Sequence, residues 1–301
     1  MIGASTDPEI RMVEELRNFE ELALRIRPEP DDVPRLAGLD IAYASQPLSG
    51  RVGGDHVVFL DFNRRYDLDA RIRDARERGL ERVAENLELN RRRAGILVAD
   101  VAGHRATDAM IAAMLHQAFL LGTYYELDTF GEITTKLFEH LKTRFHETSS
   151  VHKFFTMVYG EISDRGTFRF LSAGHPRPVV FSRRFARIMR ISADRLVTFT
   201  PVGMFPSTTG VDEQRRTPDY GYEERYTVNE INLLGDGDLL ILGTDGLLDH
   251  GSGRFVAERL ESCLVEAADL PAAGIVEAVL AASRRFAPQD DDLTFVVIKK
   301  A

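Results

Sequence analysis

The chain has 301 residues, a length typical of one large domain or two small ones. Its composition is 44% hydrophobic and 28% charged, which is usual for a globular protein and excludes general disorder. The net charge of −9 argues against a general nucleic-acid-binding protein, for which a basic excess is typical. No apolar segment reaches the ~20 residues that a membrane span needs, and residues 1–11 do not resemble a signal peptide. We therefore expect a soluble, cytoplasmic protein without a membrane partner.

The single cysteine, Cys263, excludes a disulfide bond within the chain. It lies in the helical pattern of residues 255–269, on the side that carries the apolar residues. A buried thiol without a basic neighbour is unreactive, so a cysteine nucleophile is not expected.

The first predicted element is a helix over residues 8–26, where apolar side chains recur at steps of three and four residues. Three prolines between residues 28 and 34 favour a linker after it. We interpret residues 1–36 as an N-terminal helix with a Pro-rich linker, and residues 37–301 as one folded domain. The apolar stripe of this helix is expected to pack on its own domain or on a second copy, so a homodimer is one interpretation.

From residue 39 the pattern changes to strands, which are predicted over residues 39–45, 56–62 and 94–99. Residues 63–93, between the second and third strands, are rich in Arg, Glu and Asp and carry a rough helical stripe. We interpret this segment as a charged helix inserted into a hairpin. Such an insertion would be a surface for a regulatory protein partner rather than a part of the catalytic site.

The second half of the chain alternates pairs of helices with strands. Helices are predicted over residues 107–121, 128–145, 255–268 and 271–286. Strands are predicted over residues 154–162, 167–172, 179–182, 196–200, 238–242 and 293–299. Residues 207–225 are polar and are expected to form a surface loop, whereas the helix at 107–121 is apolar nearly all round and is expected to be buried.

Short connections between neighbouring strands favour antiparallel pairing, and helices in pairs suit two sheets packed face to face with helices outside. We therefore predict an α+β fold in one domain.

Four aspartates stand at the ends of predicted strands. Asp55 precedes the second strand and Asp100 follows the third; Asp245 follows the strand at 238–242, and Asp291 precedes the last strand. If each pair of strands is antiparallel, the start of one lies beside the end of the other, so the carboxylates meet at one edge.

Several carboxylates at one edge repel each other unless a cation lies among them. Oxygen ligands suit hard divalent cations, Mg²⁺ or Mn²⁺, and two such ions can activate a water molecule for attack on phosphorus. Each motif alone is a weak signal, because a Gly-Gly-Asp or Thr-Asp-Gly sequence is common in plain turns. The four aspartates occur together at strand ends, and together they support the metal hypothesis more strongly than one motif does.

Five motifs resemble those of metal-dependent protein serine/threonine phosphatases, the PPM or type 2C family. They are VGGD at 52–55, ADVAGH at 99–104, SAGHP at 172–176, LILGTDGL at 240–247 and DDLT at 291–294. The resemblance is greatest to the bacterial SpoIIE/RsbU-like branch, whose members dephosphorylate regulators of sigma factors. It extends over most of the chain, from about residue 39 to residue 298, and implies an α-β-β-α sandwich with a two-metal Mn²⁺ or Mg²⁺ centre.

By this resemblance, Asp55 and Asp100 would bind or bridge both metal ions, with the carbonyl oxygen of Val101 as a further ligand. Asp245 and Asp291 would complete the shell of one ion. The substrate would be a phosphoprotein, hydrolysed by water that the metal ions activate.

Three more residues are candidates for contact with the substrate. His104 follows Asp100 closely and could protonate the leaving oxygen, since histidine titrates near neutrality. Arg105 stands where the branch usually has glycine, and Arg51 lies four residues before Asp55. A guanidinium can hold a phosphate through two hydrogen bonds, although a plain surface role is at least an equal alternative for Arg105 and the favoured one for Arg51.

Two alternative functions fit parts of the sequence. Arg105 departs from the family pattern and keeps open an inactive phosphatase fold that serves as a binding scaffold, against which all four aspartates argue. The Gly-Gly-Asp motif also occurs in nucleotide cyclases, but His56 and Val57 follow it here and the later aspartate motifs would be unexplained.

Overall fold

The computed structural model describes residues 8–103, 106–148, 153–208, 221–233 and 235–301. In chain order its strands are β1 (Leu39–Gln46), β2 (His56–Asp61), β3 (Arg93–Val101), β4 (Phe155–Ser163), β5 (Thr167–Ala173), β6 (Val179–Ser182), β7 (Arg187–Met189), β8 (Asn229–Asn232), β9 (Leu239–Gly243) and β10 (Leu293–Lys300). Its α-helices are α1 (Pro8–Leu24), α2 (Phe62–Arg65), α3 (Leu68–Glu77), α4 (Glu81–Asn90), α5 (Ala106–Thr129), α6 (Thr135–Thr148), α7 (Asp245–Leu248), α8 (Glu261–Ala267) and α9 (Ala272–Phe286).

The strands form two five-stranded antiparallel sheets. One sheet has the order β1-β10-β9-β6-β7, and the other has the order β2-β3-β4-β5-β8. Apolar side chains of both sheets, among them Phe59, Ile96 and Val296, form one buried cluster between them. Strand β2 is buried along its whole length, which explains why its sequence is a continuous apolar run rather than an alternation.

Helices cover the outer face of each sheet. Side chains of α3 to α6 share a core with the β2-containing sheet, and Phe119 and Phe138 lie at its centre with Tyr159 of β4. Helices α8 and α9 share a second core with the β1-containing sheet. The architecture is therefore the four-layer α-β-β-α sandwich of the α+β class that was predicted. Within the described residues, no helix combines the length and apolar character required to cross a bilayer.

Cys263 lies on the buried face of α8, in agreement with the inert role predicted for it. Burial is also the main reason that the pKa of its thiol is raised, so the reactive thiolate is disfavoured.

Helix α1 packs against α5, but only the last part of its predicted apolar stripe faces the domain. Ala23 is buried with Val52 and Ala109, and Phe19 packs against them. Ile10, Val13 and Leu16, in the earlier turns, are 46%, 65% and 46% exposed.

The charged segment 63–93 differs from the single helix that was predicted. It forms α2, α3 and α4, and Asp61 and Asp67 cap the first two by accepting hydrogen bonds from backbone N–H groups. Gly79 takes a positive φ of 71° between α3 and α4, which is the conformation that ends one helix before the next begins.

Three other predictions were wrong in detail. Helix α5 is not buried all round: it is longer than predicted, and Met110 and Leu121 are 51% and 60% exposed on its outer side. The next helix begins at Thr135 rather than at residue 128, since α5 continues to Thr129. Residues 196–200 form only an isolated bridge through Phe199 and not a strand.

Candidate metal centre

Antiparallel pairing of β2 and β3 brings Asp55 and Asp100 together. His56 pairs with Ala99, so the residue before β2 lies beside the residue that follows Ala99. The helices of segment 63–93 connect the opposite ends of the same two strands, and they are therefore far from this pair, as predicted.

The same relation holds for β9 and β10 in the other sheet. Gly243 pairs with Phe295, and the backbone N–H of Thr244 donates to the carbonyl oxygen of Thr294 at 3.0 Å. Asp245 begins α7 directly after Thr244, and Asp291 lies just before β10. The aspartate that follows β9 and the aspartate that precedes β10 therefore lie at the same end of the sheet.

Direct contacts join the two sheets at this end. The hydroxyl of Thr244 donates to Oδ2 of Asp55 at 2.9 Å, and the N–H of Gly54 donates to Oδ2 of Asp292 at 2.7 Å. All four predicted aspartates therefore belong to one region, which we call the aspartate edge: Asp55, Asp100, Asp245 and Asp291.

The electrostatics of the aspartate edge show how closely its carboxylates interact. Burial, and then the charge of Asp100, raise the pKa of Asp55 well above its usual range. Burial, followed by the charges of Asp245 and Asp291, raises the pKa of Asp100 to about 7. The pKa of Asp245 is also raised, first by burial and then by Asp291. These carboxylates hold protons more tightly than usual because they are buried and lie close to one another.

Glycine allows the backbone to come close at two places on this edge. A Cβ on Gly54 would lie 2.6 Å from the carbonyl oxygen of Val101, the predicted backbone ligand. A Cβ on Gly246 would lie 1.9 Å from the carbonyl oxygen of Asp292. Any side chain at either position would therefore push apart the segments that carry the aspartates.

The donor set of the aspartate edge fits a hard divalent cation. Oδ1 of Asp55 is buried and accepts no hydrogen bond among the described residues, so it is an oxygen without a partner. Carboxylate and carbonyl oxygens are the ligands that Mg²⁺ and Mn²⁺ prefer. In the described part of the chain, however, no group of three or more His, Cys, Asp and Glu side chains is arranged to hold a metal ion as it stands. The carboxylates interact as neighbours, since after burial the charge of Asp245 is the largest cause of the raised pKa of Asp100.

Asp292 has a different role from its neighbour Asp291. It is only 4% exposed, and its carboxylate accepts hydrogen bonds from the N–H groups of Leu48 and Gly54, each at 2.7 Å. Asp291 is exposed, and its Oδ1 accepts from the N–H of Asp292 at 2.8 Å. Asp292 therefore anchors the loop that leads to Asp55, and Asp291 stays the candidate ligand.

The structure describes only one of the three candidate substrate contacts, Arg51. Arg51 is exposed in the loop before Asp55, and its carbonyl oxygen accepts a hydrogen bond from Arg27. His104 and Arg105 lie outside the described residues.

His56 turns away from the aspartate edge although it follows Asp55. Its Nε2 lies 2.9 Å from Nδ1 of His116 on α5. Burial is the main cause that lowers the pKa of His56 to about 3 and that of His116 to about 4. Both rings are therefore neutral near pH 7 and join the sheet to the helix layer.

Four residues around the edge were missed at the sequence level: Thr244, Thr294, Ser45 and Arg27. The hydroxyl of Thr294 donates to that of Ser45 at 3.0 Å, and the guanidinium of Arg27 donates to the same hydroxyl at 3.1 Å. The two threonines stand inside the Thr-Asp-Gly and Asp-Asp-Leu-Thr motifs, which was a usable signal. Arg27 lies in the segment interpreted as a linker, so nothing in the sequence indicated its contact.

Comparison with known proteins decides the family. The family model for Stage II sporulation protein E (SpoIIE) matches residues 90–301, which is more than half of the chain. The chain belongs to the SpoIIE family. This confirms the resemblance that the five motifs indicated, and the matched region contains Asp100, Asp245 and Asp291.

One curated relative of this SpoIIE-family chain is the phosphoserine phosphatase RsbP of Bacillus subtilis. The two are 25% identical over 215 residues, which is 70% of this chain and 47% of RsbP. The chain therefore spans about half of the length of the curated relative that it matches.

Two solved structures share the fold of this SpoIIE-family chain. The SiaA-PP2C domain of Pseudomonas aeruginosa superposes with a TM-score of 0.64 at 16% identity and covers 98% of this chain and 99% of that domain. The RsbU and RsbW domains of Rv1364c from Mycobacterium tuberculosis give a TM-score of 0.61 at 20% identity, over 89% of this chain and 61% of theirs. At these identities the likeness shows the fold.

Proposed function

We propose that this chain is a cytoplasmic, metal-dependent phosphatase that removes phosphate from serine or threonine of a protein. The observation that carries the proposal is the convergence of Asp55, Asp100 and Asp245, where the pKa of each carboxyl group is raised first by burial and then by the charge of a neighbouring carboxylate. In a member of the SpoIIE family, related to a protein named as a phosphoserine phosphatase, such an edge supports phosphate chemistry.

The aspartate edge would hold two divalent cations, Mn²⁺ or Mg²⁺. Asp55, Asp100 and the carbonyl oxygen of Val101 would serve one or both, and Asp245 and Asp291 would complete the shell of one. Bound cations of this kind make a water molecule more acidic and offset the negative charge that develops on the transferred phosphoryl group. For Asp100 to serve as a ligand, the proton that it holds below about pH 7 has to leave.

The other proposed roles belong to side chains around the edge. Arg51 would hold a phosphoryl oxygen of the substrate, since it is exposed in the loop before Asp55. Arg105 would do the same, and His104 would protonate the serine or threonine oxygen as it leaves.

The proposed substrate is a phosphorylated regulator of a sigma factor, of the anti-sigma antagonist type. The support is the SpoIIE family and the relative RsbP. A pull-down combined with phosphoproteomics on a deletion strain would identify it.

Two surfaces are proposed for regulation. The exposed stripe of α1, with Ile10, Val13 and Leu16, would receive a regulatory protein or a second copy of the chain. The charged helices of segment 63–93 form the other surface, on the side of the sheet away from the aspartates. In this proposal residues 1–36 are a regulatory element and residues 37–301 are the phosphatase domain.

The test is hydrolysis of a phosphoserine peptide by the purified chain with Mn²⁺. We expect turnover that EDTA abolishes and added Mn²⁺ restores, and that Asp100→Asn removes. Turnover that persists in EDTA or in Asp100→Asn would overturn the metal mechanism. Binding of Mn²⁺ without turnover on any phosphopeptide would instead favour the inactive scaffold.

A further inference from the structure

Thr244 is a buried residue that joins the two sheets at the aspartate edge. It is 0% exposed and lies between the end of β9 and the start of α7. Its Oγ1 lies 2.9 Å from Oδ2 of Asp55, which belongs to the other sheet. The same oxygen accepts a hydrogen bond from the backbone N–H of Thr294 at 3.2 Å. Thr244 thus connects the second strand pair to the side chain that precedes β2.

The hydroxyl of Thr244 has one proton and two acceptors within reach. Oδ2 of Asp55 is at 2.9 Å, and the carbonyl oxygen of Thr294 is at 3.2 Å. A hydrogen bond to a carboxylate is shorter and about twice as strong as one to a neutral carbonyl. The proton therefore goes to Asp55 when that side chain is ionised, as it is when it binds a cation.

Because of this contact, the two oxygens of Asp55 have different surroundings. Oδ2 is held by Thr244, whereas Oδ1 is buried and accepts no hydrogen bond among the described residues. A carboxylate fixed through one oxygen cannot turn freely, so its other oxygen keeps one direction. Residues that fix a ligand in this way commonly change metal affinity 10- to 100-fold when they are replaced.

We propose that Thr244 is a positioning residue, whose hydroxyl holds Oδ2 of Asp55 so that Oδ1 is presented to a divalent cation. The proposal rests on the proposed function, because it requires that Asp55 binds a cation. It assigns to the threonine of the Thr-Asp-Gly motif a role separate from that of Asp245, the next residue.

The test compares two substitutions that remove different parts of the Thr244 side chain. Thr244→Val keeps the shape and removes the hydroxyl, and Thr244→Ser keeps the hydroxyl and removes the methyl group. Mn²⁺ binding is measured by calorimetry on the full chain without substrate. We expect Thr244→Val to bind Mn²⁺ at least about tenfold more weakly than the wild type, and Thr244→Ser to bind within about threefold.

Thr123 on α5 provides a matched control. It is also 0% exposed, and its hydroxyl has no hydrogen-bond partner among the described residues. Thr123→Val makes the same chemical change in the helix layer, and we expect wild-type Mn²⁺ binding. Thermal unfolding of each variant reports whether it folds. If Thr244→Val does not fold, Thr244→Ala, which removes the hydroxyl without filling its space, takes its place with the same expectation.

The outcomes separate this proposal from the proposed function. Equal Mn²⁺ affinity of Thr244→Val and the wild type would overturn the positioning role, and so would an equal loss in Thr244→Ser, since packing would then be the cause. Wild-type Mn²⁺ binding without hydrolysis of any phosphopeptide would overturn the proposed activity and leave the positioning result standing. A wild-type chain that binds no Mn²⁺ would overturn both.

Discussion

The carboxyl groups of Asp100 and Asp245 are neighbours at the edge where two strand pairs end, and after burial the charge of Asp245 is the largest cause that raises the pKa of Asp100 to about 7. Below this pH Asp100 holds a proton, and a protonated carboxyl group is a poor ligand for a metal ion. Proton release and cation binding at this edge are therefore expected to be linked.

The first prediction concerns the stability of the metal-free chain. The pKa of Asp100 in the folded state, about 7, exceeds its ordinary value of 3.8. Between these two pH values the folded chain keeps a proton that the unfolded chain has released, so stability falls as pH rises through this window. Asn carries no charge, so we expect Asp100→Asn to be more stable than the wild type by about 1–3 kcal/mol at pH 8 and by much less at pH 4.

Urea unfolding in EDTA at the two pH values measures this difference. Loss of stability in Asp100→Asn at pH 8 would contradict the prediction. The substitution is also expected to remove Mn²⁺-dependent turnover, so the more stable chain would be the inactive one.

The second prediction separates two adjacent aspartates. Asp290 is 64% exposed in its side chain and lies 3.8 Å from Nδ1 of His250, whereas Asp291 is a candidate ligand. We expect Asp291→Asn to lower turnover at a fixed Mn²⁺ concentration at least about tenfold, with partial recovery at higher Mn²⁺. Asp290→Asn is the matched control and is expected to stay within twofold. A phosphopeptide assay with a Mn²⁺ titration checks both, and equal effects of the two would rule out Asp291 as a ligand.

Much of the fold could be predicted because its strongest signals are local. Strands β2 and β3 are continuous apolar runs, and the hairpin between β4 and β5 carries a turn at Gly166 with a φ of 84°. The missed strands β7 and β8 are short, with only three and four residues. Strand β8 also depends on pairing with β5, which is distant in sequence. Helix α1 exposes the first part of the apolar stripe that was predicted to pack. Periodicity identifies an apolar face, but it does not show how much of that face the domain covers.

The aspartate edge could be predicted in outline for a simple geometric reason. Antiparallel pairing places the start of one strand beside the end of the next, so the positions of Asp55 and Asp100 in sequence imply that they are neighbours. The contacts between the two sheets could not be obtained in this way. The hydrogen bond between Thr244 and Asp55 joins residues 189 positions apart, and only the packing of the complete sandwich brings them together.

The third prediction concerns Arg27, which follows α1. Its guanidinium donates to the carbonyl oxygen of Ser45 at 2.7 Å and to that of Arg51 at 3.2 Å. These two acceptors lie at either end of the loop that leads to Asp55, so Arg27 holds the loop closed. We expect Arg27→Met, which keeps the aliphatic stem and removes the donors, to lower turnover about tenfold and stability by about 1–2 kcal/mol.

Arg25 offers the control for this change, since it is exposed two residues earlier. Arg25→Met is expected to keep wild-type turnover and stability. Steady-state assays and urea unfolding on both variants give the comparison. If Arg27→Met behaves like Arg25→Met, the hydrogen bonds of Arg27 contribute nothing to the loop.

The last prediction concerns Lys142, a buried cation on α6. It is 1% exposed, pairs with Glu223 and lies over the ring of Tyr226, 5.2 Å from its centroid. Burial lowers the pKa of Lys142 to about 8, against an ordinary value of 10.5. Between these pH values the unfolded chain binds a proton that the folded chain does not, so stability gained from this residue rises with pH. Relative to Lys142→Met, the wild type should gain about 1–2 kcal/mol between pH 7.5 and 9.5.

Urea unfolding of the two chains at both pH values checks this gain. Lys136 on the same helix is exposed, so the stability of Lys136→Met should differ from that of the wild type by the same amount at pH 7.5 and pH 9.5. If Lys142→Met also differs from the wild type by a constant amount, then Lys142 stays charged in the folded chain throughout this range. In that case the interaction with Glu223 would have to stabilise the charged form of Lys142 by more than burial destabilises it.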